Sequence, residues 1–297
     1  MLPWEELMVA LELGLLYGIL AIGIYLTFRI VNFPDMTCDG SFVLGAVTSS
    51  VLVKSGNSPG IALLASLITG GLAGFCTGAL YLWVRIEDFL AGIVVAFMLY
   101  SVNLRLMGAS PNIALINDVT FFSVGAPLLK VFMSVFGLAL LLAYFLRTDL
   151  GLGMRATGQN PAFASACGVP VRAMILGGLV LSNALIGLCG ALFTQYQGFC
   201  DISQGVGNLV IGLASVMMGE NLLRRGLSRK AAAQAFRLPV LPALIFCVGG
   251  SIVYRIIMAF ALHSDSLGLK TQDLNLMTGL LMILSMIRKK SSSCTRC

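Results

Sequence analysis

Side chains able to make or break bonds are few in this chain. It has one histidine, His263, and no HExxH, GxSxG or GxxxxGK[ST] pattern, so metal-assisted hydrolysis, acyl transfer and nucleotide binding have no signature. The polar residues with a meaningful spacing fall between 151 and 168, GLGMRATGQNPAFASACG. Their chemistry is helix punctuation. Asn160 suits an N-cap, Pro161 the first helical position, and Gly168 the stop before Val169-Pro170. A helix of roughly seven residues is only about 10 Å long, too short to cross a bilayer, and Arg155 beside it favours a wet surface. A short ordered helix in that place is a docking element for a soluble partner. A second set consists of polar residues inside apolar runs, where they are costly and therefore candidate pathway: Asn103, Asn183 and Gln195. Arg105 and Arg255 share that setting, with snorkelling or carboxylate pairing as the simpler expectation.

These residues need a membrane-spanning frame. Hydrophobic residues are 58% of the 297, charged residues 11%, and the mean hydropathy is +0.94. A soluble domain carries about a quarter charged residues, so this chain lacks the shell that water requires. The fold class expected is all-α, a polytopic transmembrane helix bundle of about eight or nine spans, some short or broken. Apolar runs predict helices near 7–28, 41–53, 61–84, 89–107, 122–146, 174–198, 209–223, 238–262 and 274–287. The run at 41–53 is short and follows the irregular stretch NFPDMTCDG at 32–40. Broken helices of this kind line aqueous cavities, and an ordinary short loop is an equal reading. One domain is expected over 1–290, with a short tail at 291–297.

Charge gives the orientation. The net charge is +6, but the basic residues sit between apolar runs and at the tail, with no aromatic-interleaved patch, so nucleic acid is not a partner. Loops 147–172 and 224–237 and the tail are basic, whereas 108–121 and 199–208 hold no Lys or Arg. The basic loops and the C-terminus are therefore expected in the cytoplasm and the N-terminus outside. The N-terminus has no basic n-region and contains Glu5, Glu6 and Glu12, so the first run reads as an uncleaved span. Gly70, Gly74 and Gly78, like Gly14 and Gly18, recur every four residues and predict close helix packing, within one subunit in preference to between two. Most of the eight cysteines sit singly in apolar stretches, and the Cys294–Cys297 pair lacks the further ligands of a zinc site.

Five blocks together resemble a known family: NFPDMTCDGSFVLGA at 32–46, GIVVAFMLYSVNLRLMG at 92–108, GLGMRATGQNPAFASACGV at 151–169, LCGALFTQYQGFCDISQGVG at 188–207 and VIGLASVMMGE at 210–220. They look like the permease subunits of bacterial ABC importers of the branched-chain amino acid type, closest to the tryptophan/tyrosine subgroup. The resemblance implies a permease in the bacterial inner membrane, paired with a second copy. Two cytoplasmic ATPase subunits would bring ATP and Mg, and an extracytoplasmic binding protein would deliver a small solute, an amino acid or a relative of one. The chain itself would hold no cofactor. The loop matching 151–168 would seat in an ATPase groove, with Gly158, Asn160, Ala164 and Gly168 shaping it and Arg155 contributing charge. A secondary transporter or channel and a non-transporting scaffold are the competing classes. The first would place ionisable groups at mid-membrane, and the second would need no docking helix.

Overall fold

A computed structural model describes residues 4–108, 110–116, 118–123, 125–226, 240–263 and 276–283. The chain runs through α1 (Trp4–Tyr25), α2 (Cys38–Lys54), α3 (Pro59–Ala79), α4 (Asp88–Leu106), β1 (Asn112–Ala114) and α5 (Pro127–Phe145). It continues through α6 (Asp149–Gln159), α7 (Pro161–Ala166), α8 (Val171–Gln197), β2 (Phe199–Asp201), α9 (Asn208–Gly226) and α10 (Val240–His263). Residues 276–283 are helical. Among the described residues, seven helical segments are long and apolar enough to cross a bilayer: Trp4–Val31, Pro59–Val84, Asp88–Leu106, Pro127–Phe145, Val171–Gln197, Ile202–Leu222 and Leu241–Ala261. The protein is an all-α polytopic membrane protein.

Seven of the expected eight or nine spans are found among the described residues. The run at 41–53 is α2, whose 17 residues extend about 25 Å, short of the bilayer's hydrocarbon core. The last run, 274–287, lies partly outside the described residues, as do most of the basic loop 224–237 and the whole tail with Cys294 and Cys297.

The bundle is organised around α8, which is buried continuously from Ser182 to Gln195. Helix α1 runs antiparallel to it, with Cys189 Sγ donating to the Leu16 carbonyl and Ser182 Oγ to the Gly23 carbonyl. Helix α2 runs parallel to it. Backbones meet at glycine: a Cβ built on Gly70 or Gly74 would lie 2.4 Å from the Asn183 carbonyl oxygen or 2.3 Å from that of Leu179. One on Gly45 would lie 2.0 Å from the carbonyl oxygen of Gly187. Gly14 and Gly18 face Ile252 and Val248 of α10. The glycine ridges thus serve packing inside the subunit, where close approach brings van der Waals contact that lipid cannot offer.

Two helices end alike. α1 passes into a π-helical turn, Leu26–Val31, closed by Asn32 at φ 59°, and α3 into Leu80–Val84, closed by Arg85 at φ 63°. Each stop reverses the chain into the next helix. The ends of the bundle group consistently. Strands β1 and β2 pair antiparallel, bringing the loops at 108–121 and 199–208 together. At that same end Tyr196 donates to Glu12 at 2.5 Å and His263 lies 3.4 Å from Glu6. At the other end Arg29 meets Glu220.

Candidate functional site

The segment at 151–168 is two helices rather than the single short one expected. Asp149–Gln159 is also helical, and Asn160 separates it from α7 by leaving helical geometry at φ −155°, ψ 97°. A residue before proline is pushed into that extended region by the pyrrolidine ring. Asn160 Oδ1 then accepts from the Phe163 amide at 3.0 Å, and Pro161 occupies the first turn. The far end closes by a Schellman pattern. Gly168, at φ +82°, donates to the Ser165 carbonyl, and Val169 donates to the Ala164 carbonyl, each at 3.0 Å.

The other residues named in advance divide by direction. Gly158 sits against the end of α1, where an added Cβ would be 1.9 Å from the Ile30 carbonyl oxygen. Ala164 is buried at 1% exposure, so it packs inward and supports α7 rather than offering a contact. Arg155 is part-buried. What α7 offers outward is Phe163, at 65% exposure, a residue that sequence reasoning passed over. Between α7 and the start of α8 lies an open cleft of about 580 Å³, lined by Pro161, Ala162, Ser165, Val169, Pro170, Val171 and Arg172. The cleft is mostly apolar with Arg172 at its lining, and Phe163 is not among the residues that line it.

The three candidate pathway residues, Asn183, Asn103 and Gln195, all hydrogen-bond to one element. Each fastens α2 or its entry. Asn183 donates to Asp35 Oδ2 at 2.6 Å and to the Leu179 carbonyl, and accepts from Ser41 at 2.6 Å. Gln195 donates to Ser49 and accepts from the Phe121 amide, both at 2.8 Å. Asn103 reaches the Gly40 carbonyl at 3.5 Å, and its Oδ1 is buried without a hydrogen-bond partner. The buried Asp35 also accepts from the Thr37 amide at 2.8 Å, and Thr37 meets Thr77 of α3 at 2.6 Å. Asp39 accepts from the amides of Gly207 and Leu209, capping α9. Neither aspartate stood out from the irregular 32–40 stretch, because their partners lie far along the chain.

The charged residues resolve separately. Arg105 is exposed at the end of α4, as snorkelling requires. Glu220 takes both ends of the Arg29 fork, at 2.5 and 2.6 Å. Arg255 has no carboxylate within ion-pair distance among the described residues and lies over the Tyr17 ring, 4.2 Å from its centroid. No group of three His, Cys, Asp or Glu that could hold a metal occurs among the described residues.

Comparison with known proteins agrees with this architecture. Residues 8–286 match the family model "Branched-chain amino acid transport system / permease component". The chain is 36% identical over 271 residues to a tyrosine transport system permease protein of Clostridioides difficile (strain R20291), covering 91% of this chain and 86% of that one. It is 31% identical over 286 residues to an uncharacterized protein of Rickettsia prowazekii (strain Madrid E), covering 94% and 96%. An autoinducer 2 import system permease protein of Salmonella choleraesuis (strain SC-B67) is 28% identical over 208 residues, covering 68% and 58%. No solved structure matches the chain. With a family model spanning nearly its whole length and permeases among its relatives, this chain belongs to the branched-chain amino acid transport permease family of ABC importers, as a membrane-spanning component distinct from the ATPase.

Proposed function

We propose that the protein forms the translocation pathway of an ABC importer for an amino acid or closely related solute, working as a pair of permease subunits. Cytoplasmic ATPase subunits dock on α7, and a solute-binding protein docks at the opposite end, beside the β1–β2 pair. The observation that carries this reading is α7 itself: a helix capped at Asn160, closed at Gly168, with Ala164 buried, Phe163 exposed, and Pro161, Ala162 and Ser165 lining a mostly apolar cleft with the start of α8. With α7 inside, the loops free of Lys and Arg lie outside and the C-terminus is cytoplasmic.

The coupling follows from geometry. Helix α6 leads into α7 through the break at Asn160 and rests on the Ile30 carbonyl through Gly158, so a push on α7 is carried toward the end of α1. From there the chain turns through Asp35, which Asn183 ties to α8. Closure of an ATPase dimer would move these packed elements as rigid bodies and switch the face to which the pathway opens.

An aromatic amino acid is the first solute to test, because a relative is named as a tyrosine permease. The test is reconstitution of the permease with its neighbouring ATPase and binding protein in vesicles, followed by a screen of amino acids for stimulated ATP hydrolysis. Stimulation and uptake by one solute class support the reading. Uptake without any ATPase would contradict it and favour a secondary transporter.

A further inference from the structure

Arg255 lies over an aromatic ring, 4.2 Å from the Tyr17 centroid, and takes part in neither of the ion pairs among the described residues. It lies in α10, eight residues before His263, which places it about 12 Å along the helix from that end. Snorkelling does not account for it. Helical side chains lean toward the helix N-terminus, which for Arg255 is away from the nearer membrane face. The contacts show that lean. Gly14 faces the Arg255 Cβ, with 3.5 Å to a built Cβ, while the guanidinium lies over Tyr17, further along α1 toward the bilayer centre.

Its known contacts leave the charge incompletely satisfied. The two ion pairs among the described residues are Arg29–Glu220 and Glu6–His263, and neither includes it. Its Nε is buried with no hydrogen-bond partner, yet the residue as a whole is part-exposed. A cation–π contact recovers less than a guanidinium loses on leaving water. The platform beneath it is rigid. Tyr17 stacks on Phe42 at 6.5 Å, meets Phe193 edge-on at 5.5 Å and donates to Asn208 Oδ1 at 3.4 Å. A planar fork fixed by one face on an aromatic ring presents its remaining N–H groups in the geometry that carboxylate or phosphate oxygens match.

We propose that Arg255, held over the Tyr17 ring, is an oxyanion-binding site within the bilayer that takes the carboxylate of the carried solute. This rests on the reading of the chain as a permease for amino-acid-like solutes. The chemistry is shared with a lipid phosphate, and the experiment separates the two sources.

The full-length permease, purified in detergent without ATPase, is melted with phenylacetate and with phenylacetamide, which differ in charge but hardly in size. The expected result is a rise in Tm of about 2 °C or more with phenylacetate, none with phenylacetamide, loss of the difference in R255Q and partial retention in R255K. Equal shifts for the two compounds in the wild-type protein, or a difference that survives R255Q, would overturn the proposal, and the wild-type comparison holds even if R255Q does not fold. Phospholipid retained by the wild-type protein is measured in parallel. Phosphatidylglycerol that co-purifies with wild type and not with R255Q, with no response to phenylacetate after exchange into a zwitterionic lipid, would assign the site to lipid and overturn the solute. Since no ATPase is present, either result leaves docking on α7 to be judged separately.

Discussion

Asn183 holds both sides of the break before α2: its Nδ2 donates to Asp35 at 2.6 Å and its Oδ1 accepts from Ser41 at 2.6 Å. Truncating one partner of a buried hydrogen bond strands the other, at about 1–3 kcal/mol. Asn183→Leu is therefore expected to lower the Tm of the purified permease, and the exchange Asp35→Asn with Asn183→Asp to recover part of the loss. Wild-type stability in Asn183→Leu would show that the network does not hold α2.

Gly158 supplies a steric prediction. Its built Cβ lies 1.9 Å from the Ile30 carbonyl oxygen, whereas one on Gly60 meets open space. Gly158→Ala forces α6 off the end of α1 and is expected to cost about 1–3 kcal/mol. Gly60→Ala is the control, expected to leave the Tm unchanged or slightly higher. Equal melting of the two variants would mean that α6 and α1 are not in backbone contact.

The pair Arg29–Glu220 is bidentate, with side-chain exposures of 31% and 14%. Partial exposure screens it, so a double-mutant cycle with Arg29→Gln and Glu220→Gln is expected to return about 1 kcal/mol of coupling. Additive losses would place the two residues out of contact.

Thiol chemistry reports both topology and burial. Cys167, exposed at the end of α7, is expected to react with a membrane-impermeant maleimide in inside-out vesicles and not in right-side-out ones. The experiment uses a variant with Cys294 and Cys297 replaced by serine. Cys200, beside the β1–β2 loops, should stay unlabelled from either side at pH 8. Burial pushes its thiol up from 9.0 to about 11, and raising an acid's pKa keeps it protonated, so the reactive thiolate is about a hundredfold scarcer than for an unshifted thiol. Labelling of Cys200 would grow only as pH approaches 11. Reaction of Cys167 from the outside would invert the orientation.

What could be read in advance was local. Asn160, Pro161 and Gly168 announce α7 because capping involves neighbours along the chain, and the apolar runs announce the spans within a few residues of their ends. Helix α6 is hard to read from the sequence because Gly151, Gly153 and Gly158 lower helix propensity, while Gly151 serves a tight local turn against Leu146 and Gly153 and Gly158 serve tertiary contacts with Met174 and Ile30. The role of Asn183 was hidden for the same reason, since Asp35 is 148 residues away. Ala164 could be placed in the short helix from its neighbours, but only the fold shows that it is buried while Phe163 is exposed.

Docking of the ATPase on α7 is measured by co-purification. The full-length permease is expressed with its neighbouring ATPase as wild type and as Phe163→Asp, a change at an exposed position that leaves the Asn160 cap, the Ala164 contact and the Gly168 stop in place. The variant is expected to keep the wild-type Tm and to lose the ATPase by about tenfold or more, as for an anchoring aromatic at an interface. Retention of the ATPase at the wild-type ratio by a folded Phe163→Asp permease would contradict docking on α7.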